Sequence, residues 1–265
     1  MKTKKIALLT LAIALMAGMQ SCYIHFDDAF CMSGSGYVVT EEFELSNFSM
    51  VENQTVVDVE IVQGDEQKVV VEGDNNIIDQ LQLYVHGNEL SIDLREGCYK
   101  NFNITVYITV PYLEKVSVKS TGDVTIDDFE DLDYLTLKTS STGDIIGTGV
   151  LEVSDVLELK TSSTGNIKLE AYTFDLVADI TGTGDITLAG NCKNQNVEMS
   201  STGKFKAYDF ESENCTIRVS GTGYAKINVS EQLDARISGT GDIYYLGNPR
   251  INISDNGVGD LIHAN

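Results

Sequence analysis

The 265-residue sequence predicts an all-β protein: a right-handed parallel β-helix-like solenoid with rungs of about 20 residues, preceded by a strand-rich N-terminal region. Two observations carry this. First, a Thr-Gly turn recurs, with its glycine at Gly122, Gly143, Gly165, Gly184, Gly203, Gly223 and Gly241, and a decayed copy at Gly257-Val258-Gly259-Asp260. Gly122 and Gly143 stand 21 residues apart, and the later intervals are 22, 19, 19, 20, 18 and 18. A turn returning at that period marks a stack of like units, none of which can bury its apolar face alone. Second, the residues flanking each turn alternate. Two after the glycine stand Val124, Ile145, Ile167, Ile186, Phe205, Ala225, Ile243 and Leu261, and six before it stand Val116, Leu137, Leu159, Ala178, Val197, Ile217, Ala235 and Ile253. Even offsets on both sides are apolar, which is the period of a strand with one face inward.

The N-terminus is of another kind. Lys2, Lys4 and Lys5 precede an apolar run from Ile6 to about Gly18, too short for the ~20 residues a membrane-spanning helix needs. This is the layout of a secretory signal covering residues 1–21. Cys22 follows Gly18-Met19-Gln20-Ser21 and resembles the lipidated cysteine of bacterial lipoproteins of the Bacteroidetes type, whose lipobox tolerates a looser sequence. The resemblance implies a lipid on Cys22, hence a membrane partner through that lipid, and an outer-membrane location facing the cell surface or the periplasm. Asp27-Asp28 is similar to the surface-export signal of such proteins. Residues 22–36 are expected to form a tether ending in the flexible Ser33-Gly34-Ser35-Gly36.

Residues 37–112 read as strands without the repeat. Val56–Val62 and Asn103–Val110 alternate, and Leu81–Val85 and Leu90–Leu94 flank a hairpin-like His86-Gly87-Asn88. Asp74 is placed to cap one helical turn reaching Asp79. Pro111 closes the last strand because proline cannot donate to a ladder. This region is expected to cap the solenoid or to form its first irregular rungs.

From 113 to 265 the repeat takes over. Its glycines are expected to supply positive φ, and the Asp or Asn after most of them to bond the local backbone. The threonines before them should form a column that bonds along the stack. Five before each glycine an outward column runs Ser117, Lys138, Lys160, Asp179, Glu198, Arg218, Arg236, Ser254. It predicts an ionic ladder, with Lys160 beside Asp179 and Glu198 beside Arg218.

The junction from Ile108-Thr109-Val110-Pro111 through Lys115-Val116-Ser117-Val118 into Ser120-Thr121-Gly122-Asp123-Val124, with the repeated Gly-Thr-Gly-Asp turns, resembles the head GIN-domain family of auto-transporter adhesins. The likeness covers about Phe43 to Tyr245. It implies a parallel β-solenoid and an adhesive or interaction role, and brings no catalytic or binding residues with it. Lys204 and Tyr224 depart from the Asp that follows the glycine in other copies.

Composition narrows the chemistry. The chain carries a net charge of −22, and loss of residues 1–21 removes three lysines and no acid, which leaves about −25. Such a surface repels nucleic acid. The histidines, His25, His86 and His263, lie outside the repeat core, and no nucleophile triad or phosphate loop is visible. Polysaccharide-cleaving β-helices use clustered carboxylates, or a base and a calcium ion, on one face, for which Asp123, Asp144, Asp185 and Asp242, or the Lys/Arg column, would be the candidates. Rungs this short leave no insertions to wall a cleft, and the expectation is a protein that is not an enzyme and has no cofactor. Calcium in the Gly-x-Gly-Asp turns is an alternative. The leading expectation is a surface adhesin for glycan or protein; Tyr224, Tyr244 and Tyr245 could stack on sugar, but Tyr245 falls on the inward count and the favoured reading of all three is edge and cap packing. Its rival is a structural protein that self-associates into homo-oligomers. Cys31, Cys98, Cys192 and Cys215 are compatible with disulfides in an exported chain, and their pairing is left open.

Overall fold

The computed structural model describes residues 31–264, apart from the side chain of Asp255. The signal segment 1–21, Cys22 and the first part of the tether lie outside the described residues. The elements in order are β1 (Met32–Ser33), β2 (Val38–Phe43), β3 (Met50–Asn53), β4 (Asp58–Gln63), β5 (Lys68–Asp74), α1 (Asn75–Ile78), β6 (Leu81–His86), β7 (Glu89–Leu94), β8 (Tyr99–Lys100) and β9 (Ile104–Val110). The repeats follow as β10 (Lys115–Val118), β11 (Val124–Ile126), β12 (Phe129–Thr139), β13 (Ile145–Thr161), β14 (Ile167–Ile180), β15 (Ile186–Met199), β16 (Phe205–Val219), β17 (Ala225–Ile237), β18 (Ile243–Leu246), β19 (Arg250–Asp255) and β20 (Leu261–His263). From β10 onward every pairing is parallel and joins equivalent positions of successive repeats, the arrangement of a β-solenoid.

The rungs differ from strand–turn–strand in one respect. The strand leaving one turn runs on into the strand entering the next, so a rung is one long bent strand closed by the Thr-Gly turn. β13, β14, β15, β16 and β17 hold 17, 14, 14, 15 and 13 residues. The turns between them, such as 162–166 and 181–185, are five residues each. All variation in repeat length therefore falls in the strand. The extra residues of β13 relative to β14 appear as register shifts between Ile146 and Val150 and between Val153 and Val156. These lie at the corner opposite the turn, where a bulge can absorb a residue without breaking pairing at the turn.

The two apolar columns are in register and form the core. Val116, Leu137, Leu159, Ala178, Val197, Ile217 and Ala235 are buried, as are Val124, Ile145, Ile167, Ile186, Phe205, Ala225 and Ile243. The eighth members differ: Ile253 is 45% exposed and Leu261 half-buried. Both belong to the last rung, over which no further described rung stacks.

The N-terminal region both continues and closes the stack. β3 and β4 pair parallel with β10 and β11, so residues 50–63 make a rung. β7 and β9 pair parallel with the other edges of β3 and β4. The chain thus lays down an inner rung, then the outer one, and crosses back at Pro111 to begin the repeats. Parallel stacking ends where β5 pairs antiparallel with β9 and β2 antiparallel with β5, which covers an otherwise open edge. The hairpin of β6 and β7 turns at Gly87, φ 63°. Asp74 precedes α1 without a side-chain capping bond. Its carboxylate instead accepts from the backbone N–H of Gly36 (2.6 Å) and of Asn103 (2.9 Å), binding the tether side to the cap. A Cys31–Cys98 disulfide adds a covalent tie between residues 67 apart, while Cys192 and Cys215 are free and buried.

Candidate functional site

The Thr-Gly turns stack as a scaffold. None of their glycines lies in the left-handed region; the positive-φ glycines are Gly36, Gly87, Gly190 and Gly247. The reason for glycine is instead close approach. A Cβ added to Gly143, Gly165, Gly184, Gly203, Gly223 or Gly241 would fall well under 3.0 Å from the carbonyl oxygen of the turn glycine one rung before. At Gly122 the obstacle is the Val57 carbonyl, because residues 54–57 take the turn's place in the preceding rung. The threonines are exposed, and rungs join through their backbone: Thr183 N–H donates to Ser163 O at 2.8 Å and Thr222 N–H to Ser201 O at 2.9 Å.

The acidic residues after the glycines are also scaffold. Their side chains bond the next rung rather than their own turn. Asp123 Oδ1 accepts from the Asp144 N–H (2.8 Å), Asp144 Oδ1 from the Asn166 N–H (2.7 Å), and Asn166 Oδ1 from the Asp185 N–H (2.9 Å). Asp185 Oδ1 accepts from the Lys204 N–H (3.0 Å), and Asp242 Oδ1 from the Asp260 N–H (2.9 Å). Asp123, Asp144, Asp185 and Asp242 are thus employed in one column of rung-to-rung bonds. The outward charge column is in register as predicted, and Arg218 meets Glu198 at 2.9 Å. Lys160 turns to Glu158 on its own strand (2.7 Å) rather than to Asp179. Glu158 has the longer side chain and lies on the same face two residues away.

A ligand-sized concavity occurs at the opposite corner. A groove of about 460 Å³ is lined by Asp131, Glu152, Ser154, Tyr172, Phe174 and Asn191, among others. Glu152, Tyr172 and Asn191 are register partners on β13, β14 and β15. Tyr172 and Phe174 are 40% and 46% exposed, and Tyr134 nearby 56%. Large apolar rings left open to water in a cluster are the informative exception on a protein surface. The Lys193 ammonium lies 5.0 Å from the Phe174 ring centroid, within cation–π range. Asp131 sits beside a register shift in β12 with φ 58°, a conformation uncommon for residues other than glycine. Tyr134 has its pKa raised by a hydrogen bond to the Asp155 carboxylate and by that charge. Ser154 Oγ donates to Asp133 Oδ1 at 3.2 Å. Ring faces beside carboxylates, an amide and a hydroxyl match what a sugar offers: an apolar C–H face and a rim of hydroxyls that donate and accept.

Of the tyrosines singled out from the sequence, Tyr224 and Tyr244 meet edge to face at 6.2 Å, while Tyr245 turns toward the core and stacks on His263 at 4.8 Å. The groove residues had no spacing signal. The interval between the two turns flanking β14, Gly165 to Gly184, is 19 and therefore odd, so inward phase counted from one end contradicts that counted from the other somewhere near 172–175.

Solved structures share this fold. A crystal structure from Parabacteroides distasonis, titled a "putative adhesin", superposes with a TM-score of 0.78 at 20% identity, covering 86% of this chain and 98% of its own. A second from the same organism, titled a "putative lipid binding protein", gives 0.79 at 21% identity, covering 87% and 99%. A third, a "putative adhesin" from Parabacteroides merdae, gives 0.74 at 20%, covering 88% and 99%. Among curated proteins, none matches. Residues 47–249 match the family described as "Putative auto-transporter adhesin, head GIN domain", and with most of its length inside that match this chain belongs to the head GIN-domain family.

Proposed function

We propose that this chain is a non-enzymatic, lipid-anchored adhesin of the cell envelope that docks a sugar ring in the groove of Tyr172 and Phe174. The observation that carries it is the gathering of exposed rings with Asp131, Glu152 and Asn191 at one corner. The family's adhesin description supports the role, and employment of the turn aspartates in rung-to-rung bonds supports the non-enzymatic part. Cys22 would carry the lipid on the outer membrane. Among the described residues no helix is long and apolar enough to cross a membrane.

The test is a glycan array probed with wild type and with Tyr172→Ala/Phe174→Ala. Loss of two ring contacts should weaken a bound glycan by about tenfold or more, roughly 1.4 kcal/mol, without lowering the melting temperature. Undiminished binding by the variant would refute the groove. Alkynyl-palmitate labelling of cells should mark wild type and not Cys22→Ala, and protease shaving of intact cells should degrade the chain if it faces outward.

A second reading, self-association through the last rung, has an observation in its favour. Ile251 and Ile253 on β19 are 43% and 45% exposed, and Val258 81%, at the end where no antiparallel strand packs among the described residues. Concentration-dependent size in light scattering, abolished by Ile251→Asp/Ile253→Asp, would establish it.

A further inference from the structure

We propose that Lys204, Lys226, Tyr208, Tyr224 and Tyr244 form a second binding site, for a carboxylate-bearing saccharide. The aspartate column lapses at two consecutive turns, where Lys204 and Tyr224 replace the acceptor. Each replacement forgoes a rung-to-rung bond of the kind made at 2.7–3.0 Å elsewhere in the column. Departures from a local rule tend to gather where function requires them. Here the two substituted residues converge. Lys204 Nζ lies 5.5 Å from the Tyr224 ring centroid, and Lys226 Nζ lies 5.5 Å from that of Tyr224 and 5.4 Å from that of Tyr208. Tyr244, in register with Lys226, meets Tyr224 edge on and donates to Asp242 Oδ2 at 3.1 Å. All five residues are half-buried.

Charge indicates the ligand. In a chain of net charge −22, Lys204 and Lys226 form no ion pair among the described residues, whereas Lys206 between them is taken up by Asp185 at 2.7 Å. Two unpaired ammonium groups over tyrosine rings suit one carboxylate on a ring that can lie against an aromatic face. A dense polyphosphate would meet the acidic remainder of the surface and be repelled. A uronic-acid saccharide satisfies both demands.

The experiment is calorimetric titration of the protein with trigalacturonate, its methyl ester and phosphatidylglycerol vesicles. Wild type should bind trigalacturonate, more weakly at high salt, and the uncharged ester about tenfold more weakly or less. Lys204→Asp/Tyr224→Asp, which restores the column, should lose that binding by about tenfold or more while the melting temperature holds or rises. Lys226→Met should lose it likewise, and Tyr172→Ala/Phe174→Ala should keep it, which separates this site from the groove. Absence of trigalacturonate binding, equal binding of the ester, unchanged binding by the column-restoring variant, or binding to vesicles alone would overturn the proposal.

Discussion

Gly184→Ala should be among the most damaging single-methyl additions in the protein. The new Cβ would stand 2.9 Å from the Gly165 carbonyl carbon and nearer still to its oxygen, so the rungs must part by roughly 1 Å to reach ordinary contact. Three bonds hold that point: Thr183 N–H and Gly184 N–H to Ser163 O at 2.8 and 2.9 Å, and Asp185 N–H to Asn166 Oδ1 at 2.9 Å. An opening of that size loses all three. At about 1 kcal/mol net each, the cost is about 3 kcal/mol, or a fall of roughly 6–12 °C in melting temperature for a chain of this size. The control is Gly184→Asn. Asn relieves a positive-φ requirement but not a steric one, so it should be as harmful as Ala. Calorimetry showing Ala within about 2 °C of wild type, or Asn clearly milder than Ala, would refute the close-approach argument.

Other expectations follow from single contacts. Asp144→Ala removes the acceptor for both the backbone N–H and the side-chain amide of Asn166, at 2.7 and 3.0 Å; because Asn166 is exposed to water, the loss in urea unfolding should be only about 1 kcal/mol. Gln195 is buried with neither amide atom bonded among the described residues, in a column whose partners are Leu176 and Cys215. Gln195→Leu should therefore raise stability by about 1–3 kcal/mol, and a lower melting temperature would show that the amide is satisfied. Burial pushes the Cys192 thiol up to about 12 and raises the Cys215 thiol as well. Since the thiolate is the reactive form, native protein should resist iodoacetamide near neutral pH, gain reactivity only as pH climbs toward that value, and label readily in denaturant.

What could be read from the residues follows from what repeats. The turn glycine fixed an origin, and strand period did the rest, so Leu159 or Ile217 could be placed in the core by counting. The cause behind the glycine was not legible, because a positive φ and a carbonyl pressed against the Cα both demand glycine, and only stacking distinguishes them. The same holds for the aspartates: Asp144 bonding Asn166 across 22 positions looks locally identical to an Asp bonding its own turn. The ionic column was readable in register but not in pairing, since Lys160 had a competitor in Glu158. Ile253 kept its apolar period but is 45% exposed, because no described rung stacks over it. The groove was hidden because Tyr172 and Phe174 sit where counts from the two neighbouring turns fall out of phase, while Glu152 and Ser154, outward on both counts, look like any other solvent-facing residues.

The aspartate column has a direction. Each acceptor belongs to the earlier rung and each donor to the later one, from Asp58, which takes the Asp123 N–H at 2.9 Å, toward Asp260. A completed rung therefore presents an ordered carboxylate to backbone not yet placed, and the newcomer presents nothing equivalent in return until its own turn has formed. Growth from the disulfide-tied end meets both side-chain and backbone acceptors, whereas growth from the far end would have backbone carbonyls alone, such as Asn166 O for the Ile145 N–H at 2.9 Å. Ordering should thus travel one way along the molecule and fraying the other. Hydrogen exchange would register it as protection that declines rung by rung toward β19 and β20, with a step where Lys204 and Tyr224 interrupt the column.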